Sequence, residues 1–264
     1  MQATCEETEF VLLLHGSAGT SSIWRGVRDA LSPVYRLLSP DLIGYGRAAP
    51  WSGASAFSLA EEVRRIDERV LCCEQAFDVV GYSYGGAVAI ALALANPARV
   101  RTLTLIEPVF FCGLRYAGEQ RAFESFEGVR NRFEDALRRG ETDSAMRDFI
   151  DFWTGAGAWD GMSDELRRSM RSMAGKIQLD WQASFEFDPG PAALRMLGER
   201  TLLVRGDRSP EPMRRLVDAL HILMPGSGRG VIGGANHLLP LTHATQLSAL
   251  VAAHLHAASE RTLR

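Results

Sequence analysis

From Ala87 to Ala95 the chain reads Ala-Val-Ala-Ile-Ala-Leu-Ala-Leu-Ala, a helix-like run that is apolar on every side and stops at Asn96-Pro97. A helix with no polar face must be covered all round, so it belongs inside a layered fold. An apolar strand-like run, Phe77 to Val80, precedes it, and only Gly81-Tyr82-Ser83-Tyr84-Gly85-Gly86 separates the two. Strand, abrupt turn and buried helix in so short a span constrain the backbone severely. The residue at the apex is forced toward positive φ with its side chain exposed at the sheet edge, and glycines two positions to either side let the chain turn. That apex residue is Ser83.

The same turn supplies two chemical elements. The serine hydroxyl stands clear of the sheet, and the helix that starts beside it aims free backbone N–H groups at any negative charge forming there. G-x-S-x-G alone fixes only three positions, and a glycine-rich phosphate loop is the competing reading. Such a loop would carry Gly-Lys-Ser/Thr or G-x-G-x-x-G opening the helix. Neither is present.

The rest of the chain follows an α/β rhythm. Phe10–Leu14 is a strand ending in His15-Gly16, and Tyr35–Ser39 is a second, ending at Pro40-Asp41 and Gly44-Tyr45-Gly46. Leu59, Val63, Ile66 and Val70 recur at helical spacing across residues 59–71, which marks an amphipathic helix. Val100–Ile106 is the strand after the buried helix, terminating at Glu107-Pro108. Alternating strands and helices predict a parallel sheet flanked by helices.

Residues 108–199 break the rhythm. They show helical periodicity without a β-branched run and hold nine of the 12 phenylalanines and three of the five tryptophans. This segment is expected to form an inserted helical cap over a core made of residues 1–107 and 200–264. Strand character resumes at Thr201–Val204, a helix follows from about Pro212 to Leu223, and Val231-Ile232 leads through Gly233-Gly234-Ala235-Asn236 to His237. A last helix is expected from about Thr242 to Ala257.

Composition narrows the partners. With 264 residues, 46% hydrophobic and 23% charged, the chain can bury a sizeable interior without staples. Lys176 is its single lysine, and the arginines are mixed with acids, so no basic stripe supports nucleic-acid binding. Cys5, Cys72, Cys73 and Cys112 lack C-x-x-C spacing and read as reduced thiols. The acidic, polar stretch Met1–Phe10 is unlike a signal peptide, and no run approaches the roughly 20 apolar residues of a membrane span. The expectation is a cytoplasmic, soluble protein with a small-molecule substrate, no nucleic-acid or membrane partner, and no metal or cofactor; self-association is left open.

Taken together, His15-Gly16 after the first strand, Asp41 with Gly44-Tyr45-Gly46 after the second, the Ser83 turn, the cap and the late glycine-rich turn to His237 resemble the α/β-hydrolase family, over nearly the whole chain. The resemblance implies its fold, with the usual antiparallel N-terminal strands reduced because only about nine residues precede Phe10. It implies a nucleophile at Ser83 and a base at His237, since a serine hydroxyl needs an imidazole to take its proton. His221, His243, His254 and His256 lie in helical patterns, and His15 belongs to a supporting turn. The acid that orients the base is expected in a G-x-x-D-x-x-x-P segment, but here Gly206-Asp207-Arg208-Ser209-Pro210 puts Ser209 at that position. Some branches of the fold place the acid at the end of the preceding strand, which favours Glu107, with Asp207 as the alternative.

The oxyanion hole is expected from the backbone N–H groups of Tyr84 and Ser17. The stretch from Gly16 to Trp24 also resembles haloalkane dehalogenases, but those enzymes and the epoxide hydrolases use an aspartate where this chain has Ser83. Phe110, Phe111, Phe149, Phe152, Trp153, Trp159, Trp181 and Phe185 are candidate pocket walls, about a third of which are expected to touch substrate. These features point to a serine esterase for a small or medium, largely apolar ester. A thioesterase, a C–C bond hydrolase, a lyase and a non-catalytic small-molecule receptor are the alternatives on the same fold.

Overall fold

The computed structural model describes residues 10–53, 55–69 and 75–262; Cys5, Cys72, Cys73 and Val70 lie outside these. Strands β1 (Phe10–Leu14), β2 (Arg36–Leu38), β3 (Phe77–Tyr82), β4 (Val100–Ile106), β5 (Thr201–Gly206) and β6 (Gly228–Ile232) form one sheet in the order β2-β1-β3-β4-β5-β6. Every neighbouring pair is parallel. Parallel strands need crossovers, and helices supply them: α1 (Arg25–Leu31), α2 (Leu59–Arg69) and α3 (Tyr84–Ala95) fall between the early strands. Between β4 and β5 come α4 (Cys112–Tyr116), α5 (Gln120–Arg138), α6 (Thr142–Thr154), α7 (Asp164–Ser172), α8 (Ala174–Glu186) and α9 (Pro191–Arg195). The chain closes with α10 (Glu211–Leu223), α11 (Leu239–Thr242) and α12 (Ala244–Thr262).

Alternation along the strands assigns the two faces of the sheet. Phe10, Leu12, Leu14, Phe77, Val79, Leu103, Leu105 and Leu203 point into the larger core with α2, α3 and α10. Val11, Leu13, Val80, Tyr82, Ile106 and Val204 point the other way, toward α1 and α12. The apolar helix α3 is buried from Tyr84 through Ala93, as its lack of a polar face requires. Above the sheet, α5 presents Ala122, Phe126, Val129, Phe133 and Ala136 at helical spacing, and α6 presents Met146, Phe149, Ile150 and Trp153. Burial of each large side chain in that interface contributes roughly 1.5–3 kcal/mol.

Boundaries differ from the sequence expectation where apolar signal is weak. β6 begins at Gly228, three residues before Val231, because the edge pairing of Gly228-Arg229-Gly230 with Leu202–Val204 leaves no hydrophobic trace. β2, at the other edge, is shorter than expected and only partly buried. The last helix runs on to Thr262, past Ala257, with the short α11 ahead of it.

Candidate active site

In a parallel sheet all strands end on one side, and loops there converge. Ser83 follows β3 with φ 54° and ψ −119°. Its amide donates to the Ile106 carbonyl at 2.9 Å, and its own carbonyl accepts from the amides of Gly86 and Val109. A Cβ on Gly85 would stand 2.3 Å from the Leu14 carbonyl oxygen, and one on Gly81 2.4 Å from the Gly85 carbonyl oxygen. Glycine alone lets α3 press onto the ends of β1 and β3 this closely.

Among the described residues, the non-glycine positions with positive φ are Ala18 at 56°, Ser83 at 54° and Glu107 at 45°. One lies in the loop after β1, one at the apex after β3 and one just past β4. Such conformations cost of order 1–3 kcal/mol each and persist only where the surroundings enforce them.

His237, beyond β6, joins two of these residues. Its Nε2 lies 3.1 Å from Ser83 Oγ, and its Nδ1 lies 2.6 Å from Glu107 Oε2. Nδ1–H donates to the carboxylate, which leaves Nε2 as acceptor for the serine hydroxyl. The other carboxylate oxygen of Glu107 accepts from the Gly206 amide at 2.8 Å and from the Ser209 hydroxyl. Glu107 is fully buried, and His237 is nearly so. The imidazole packs between Tyr82, 5.1 Å between ring centres, and Trp153 of α6, 4.2 Å away and nearly parallel. Tyr82 also donates its hydroxyl to the His237 carbonyl at 2.9 Å.

The two candidate acids therefore occupy different positions. Glu107 contacts the imidazole, whereas Asp207 accepts the Gly234 amide at 2.7 Å and shapes the turn leading to His237. Ser209, where the resemblance expects the acid, donates to Glu107 instead. Sequence reading missed this, although a vacated acid position two residues from an aspartate and a glutamate at the end of the preceding strand were its available signal.

His15 is neutral and structural. Its Nδ1–H donates to the Gly16 carbonyl at 2.8 Å, its Nε2 accepts the Leu42 amide at 3.0 Å, and burial lowers its pKa to about 4. The loop it supports lies against Ser83, since a Cβ on Gly16 would meet Ser83 Cβ at 2.9 Å. Ser17 follows in that loop, and Tyr84 opens α3 with one of its free N–H groups. The remaining histidines lie elsewhere: His221 pairs with Ser227, His243 with Thr242, and His254 with the Arg200 carbonyl. Cys112 is buried, which pushes its thiol up to about 12.

Between Ser83 and helices α6 and α8 lies a cavity of ≈ 20 Å³, about the space of one water. Phe111, Phe149, Trp153 and Trp181 wall it, while Phe110, Phe152, Trp159 and Phe185 pack elsewhere. Its polar groups are Ser17, Ser83, Asp180 and Ser184. Among the described residues no cluster of three or more His, Cys, Asp or Glu is arranged to hold a metal, and no helix is long and apolar enough to cross a membrane.

Known proteins resemble the chain in sequence and in fold. The chain is 28% identical over 253 residues to the dihydrolipoyllysine-residue acetyltransferase component of an acetoin cleaving system from Cupriavidus necator, covering 94% of this chain and 63% of that one. It is 38% identical over 140 residues to a pimeloyl-[acyl-carrier protein] methyl ester esterase from Yersinia pseudotuberculosis, covering 52% of this chain and 51% of that one. The chain thus spans less than two thirds of the length of these relatives. MenH from S. aureus superimposes with a TM-score of 0.74 at 15% identity, covering 98% of this chain and 97% of that one. A meta-cleavage product hydrolase from Pseudomonas fluorescens gives a TM-score of 0.63 at 21% identity, covering 95% and 91%. At these identities the likeness to solved structures is one of fold. The model of the alpha/beta hydrolase family matches residues 11–250, and with the parallel sheet and the Ser83 turn this places the chain in that family: it is an α/β-hydrolase.

Proposed function

We propose that this protein is a serine hydrolase that cleaves small or medium, largely apolar esters through an acyl-enzyme on Ser83. The observation that carries the reading is the unbroken hydrogen-bonded row from Ser83 through His237 to the buried Glu107. His237 takes the Ser83 proton as the oxygen attacks the acyl carbonyl, and Glu107 stabilises the imidazolium and fixes its tautomer. The N–H groups of Ser17 and Tyr84 receive the oxyanion. His237 then protonates the departing alkoxide, and a water activated by the same imidazole releases the acid.

The walls argue for the substrate class. Four aromatic side chains surround the acyl position, while the nearest lysine, Lys176, is occupied by Glu62 and Asp180. An anionic acyl group would find no free cation among these contacts. Some relatives carry names that specify ester hydrolysis, such as the pimeloyl-[acyl-carrier protein] methyl ester esterase, which supports the bond type without fixing the substrate. A fluorophosphonate probe tests the mechanism: mass spectrometry should find the adduct on Ser83, and folded protein that stays unlabelled would sink the proposal.

A further inference from the structure

Backbone N–H groups are all an oxyanion hole requires, so the side chains of Ser17 and Tyr84 are free for other work. Both end on one buried charged cluster. The Ser17 hydroxyl donates to Asp180 Oδ2 at 2.6 Å, and the Tyr84 hydroxyl donates to Glu62 Oε1 at 3.3 Å. Lys176, the only lysine in the chain, bridges the two carboxylates, contacting Asp180 Oδ1 and lying 3.1 Å from Glu62 Oε1. Asp180 is 2% exposed and Glu62 1%. Asp180 and Lys176 sit one turn apart on cap helix α8, whereas Glu62 belongs to core helix α2.

The remaining valences are filled from the core. Tyr45 donates its hydroxyl to Asp180 Oδ2 at 2.6 Å, and the Ile43 amide donates to Glu62 Oε2 at 3.0 Å. Burial and neighbouring carboxylates push the Tyr45 and Tyr84 phenols well above their usual range, so both remain donors. The rings of Tyr45, Phe57 and Tyr84 stand 5.2, 4.2 and 4.7 Å from the ammonium. Beside Ser17, Ala18 holds a left-handed φ of 56°, a conformation that needs outside support.

We propose, resting on the serine-hydrolase reading, that Asp180 and Glu62 are positioning residues for the oxyanion hole, joined through Lys176 so that seating the cap sets the backbone donors of Ser17 and Tyr84. The hole is then complete only when α8 is docked. Each tether acts on the transition state, because substrate in its ground state makes no full charge for those N–H groups to hold.

Ser17→Ala and Tyr84→Phe each remove one hydroxyl and keep the backbone donor, and both are mild enough to fold. For a short p-nitrophenyl ester, each should lower kcat about tenfold, the scale set by a sub-ångström misplacement of catalytic groups, with KM changed less than about twofold. A trifluoromethyl ketone, which forms an oxyanionic adduct with Ser83, should lose affinity by the same factor, while the parent methyl ketone binds as before. Asp180→Asn should reproduce the Ser17→Ala loss, and the double variant should add little to it. Equal losses for both ketones, or unchanged kcat in Ser17→Ala and Tyr84→Phe, would overturn the proposal while leaving fluorophosphonate labelling of Ser83 intact. Wild-type protein that neither labels nor turns over would remove the serine-hydrolase reading and this one with it.

Discussion

The row from Ser83 through His237 to Glu107 is assembled from the loops at the ends of β3, β4 and β6, whereas the cluster of Asp180, Lys176 and Glu62 spans from α8, between β4 and β5, to α2, between β2 and β3. The first holds one carboxylate, surrounded by donors from the imidazole, an amide and a hydroxyl. The second buries three charges, and burial pushes both of its carboxyl groups upward while Lys176 opposes the shift. Buried charges are poor sources of net stability, because desolvation consumes most of the Coulombic gain. The proposed role of this cluster is geometric: a bridged set of charges should favour one docking of α8 over the rest. The core row should therefore govern chemistry with little effect on folding, and the cluster should do more of the reverse.

Ser83→Ala gives the largest separation between the two. Ester turnover should fall by on the order of 10⁴-fold or more, since members of such a unit act together and the loss of one removes most of the gain. The unfolding midpoint should stay close to wild type. A variant that kept most of its turnover would remove Ser83 from the chemistry altogether.

The acids offer the next contrast. Glu107→Gln leaves shape intact but loses the charge that stabilises the imidazolium, so turnover should drop by roughly 10³- to 10⁴-fold. Asp207→Asn keeps an acceptor for the Gly234 amide, so turnover should stay within about tenfold of wild type. Steady-state kinetics on one ester decide between them, and the opposite ranking would transfer the acid role to Asp207.

The core was the more legible part of this molecule. Helix α3 without a polar face, the glycines around Ser83 and alternating strands all act locally, so periodicity and turn chemistry reveal them. His237 was legible for the same reason, standing after a glycine-rich turn that follows a strand. Ser209 was not, because its hydroxyl meets Glu107 across 102 positions of sequence. The cluster of Asp180, Lys176 and Glu62 was less legible still. In the sequence Lys176 stands out only as the single lysine, and nothing in its helix spacing says that Glu62, on another helix, will meet it. Pairings made by tertiary packing leave no periodic trace.

Removing Lys176 probes that cluster directly. Lys176→Met fills the volume but leaves Glu62 and Asp180 facing each other without a cation, and should cost about 3–5 kcal/mol in chemical unfolding. Adding Glu62→Gln should recover part of the loss, since only one carboxylate then remains uncompensated. Equal stability for Lys176→Met and wild type would mean that the cluster does not hold α8 against α2.

Acid should expose the core's own weak point. His15 has a folded-state pKa of about 4 against an ordinary 6.5, so between those values the unfolded chain binds a proton that the folded protein refuses. Stability is full above pH 6.5 and declines as pH falls toward 4, by about 3 kcal/mol from this group. Equilibrium unfolding across that range, compared with His15→Gln, isolates the contribution, because the variant has no imidazole to titrate. A variant with the same pH slope as wild type would show that the neutral His15 does not limit the loop next to Ser83.

The smallest effect is expected where the two regions touch. Trp153 belongs to α6, yet its ring stacks on His237 and walls the ≈ 20 Å³ cavity beside Ser83. On the proposed esterase reading, a cavity that size must widen before it holds an acyl chain, and the Trp153 ring should then limit the chain length accepted. Trp153→Phe keeps an aromatic face over the imidazole and frees part of the indole volume. Across a graded ester series, preference should move toward acyl chains one or two carbons longer, by roughly three- to tenfold in kcat/KM, the worth of about one buried methylene. Short esters should lose a few-fold, mainly through KM, because the chemistry stays with the core row. A uniform loss across the series, independent of chain length, would instead make Trp153 a support for His237, and the boundary between cap and core would then fall on the other side of this ring.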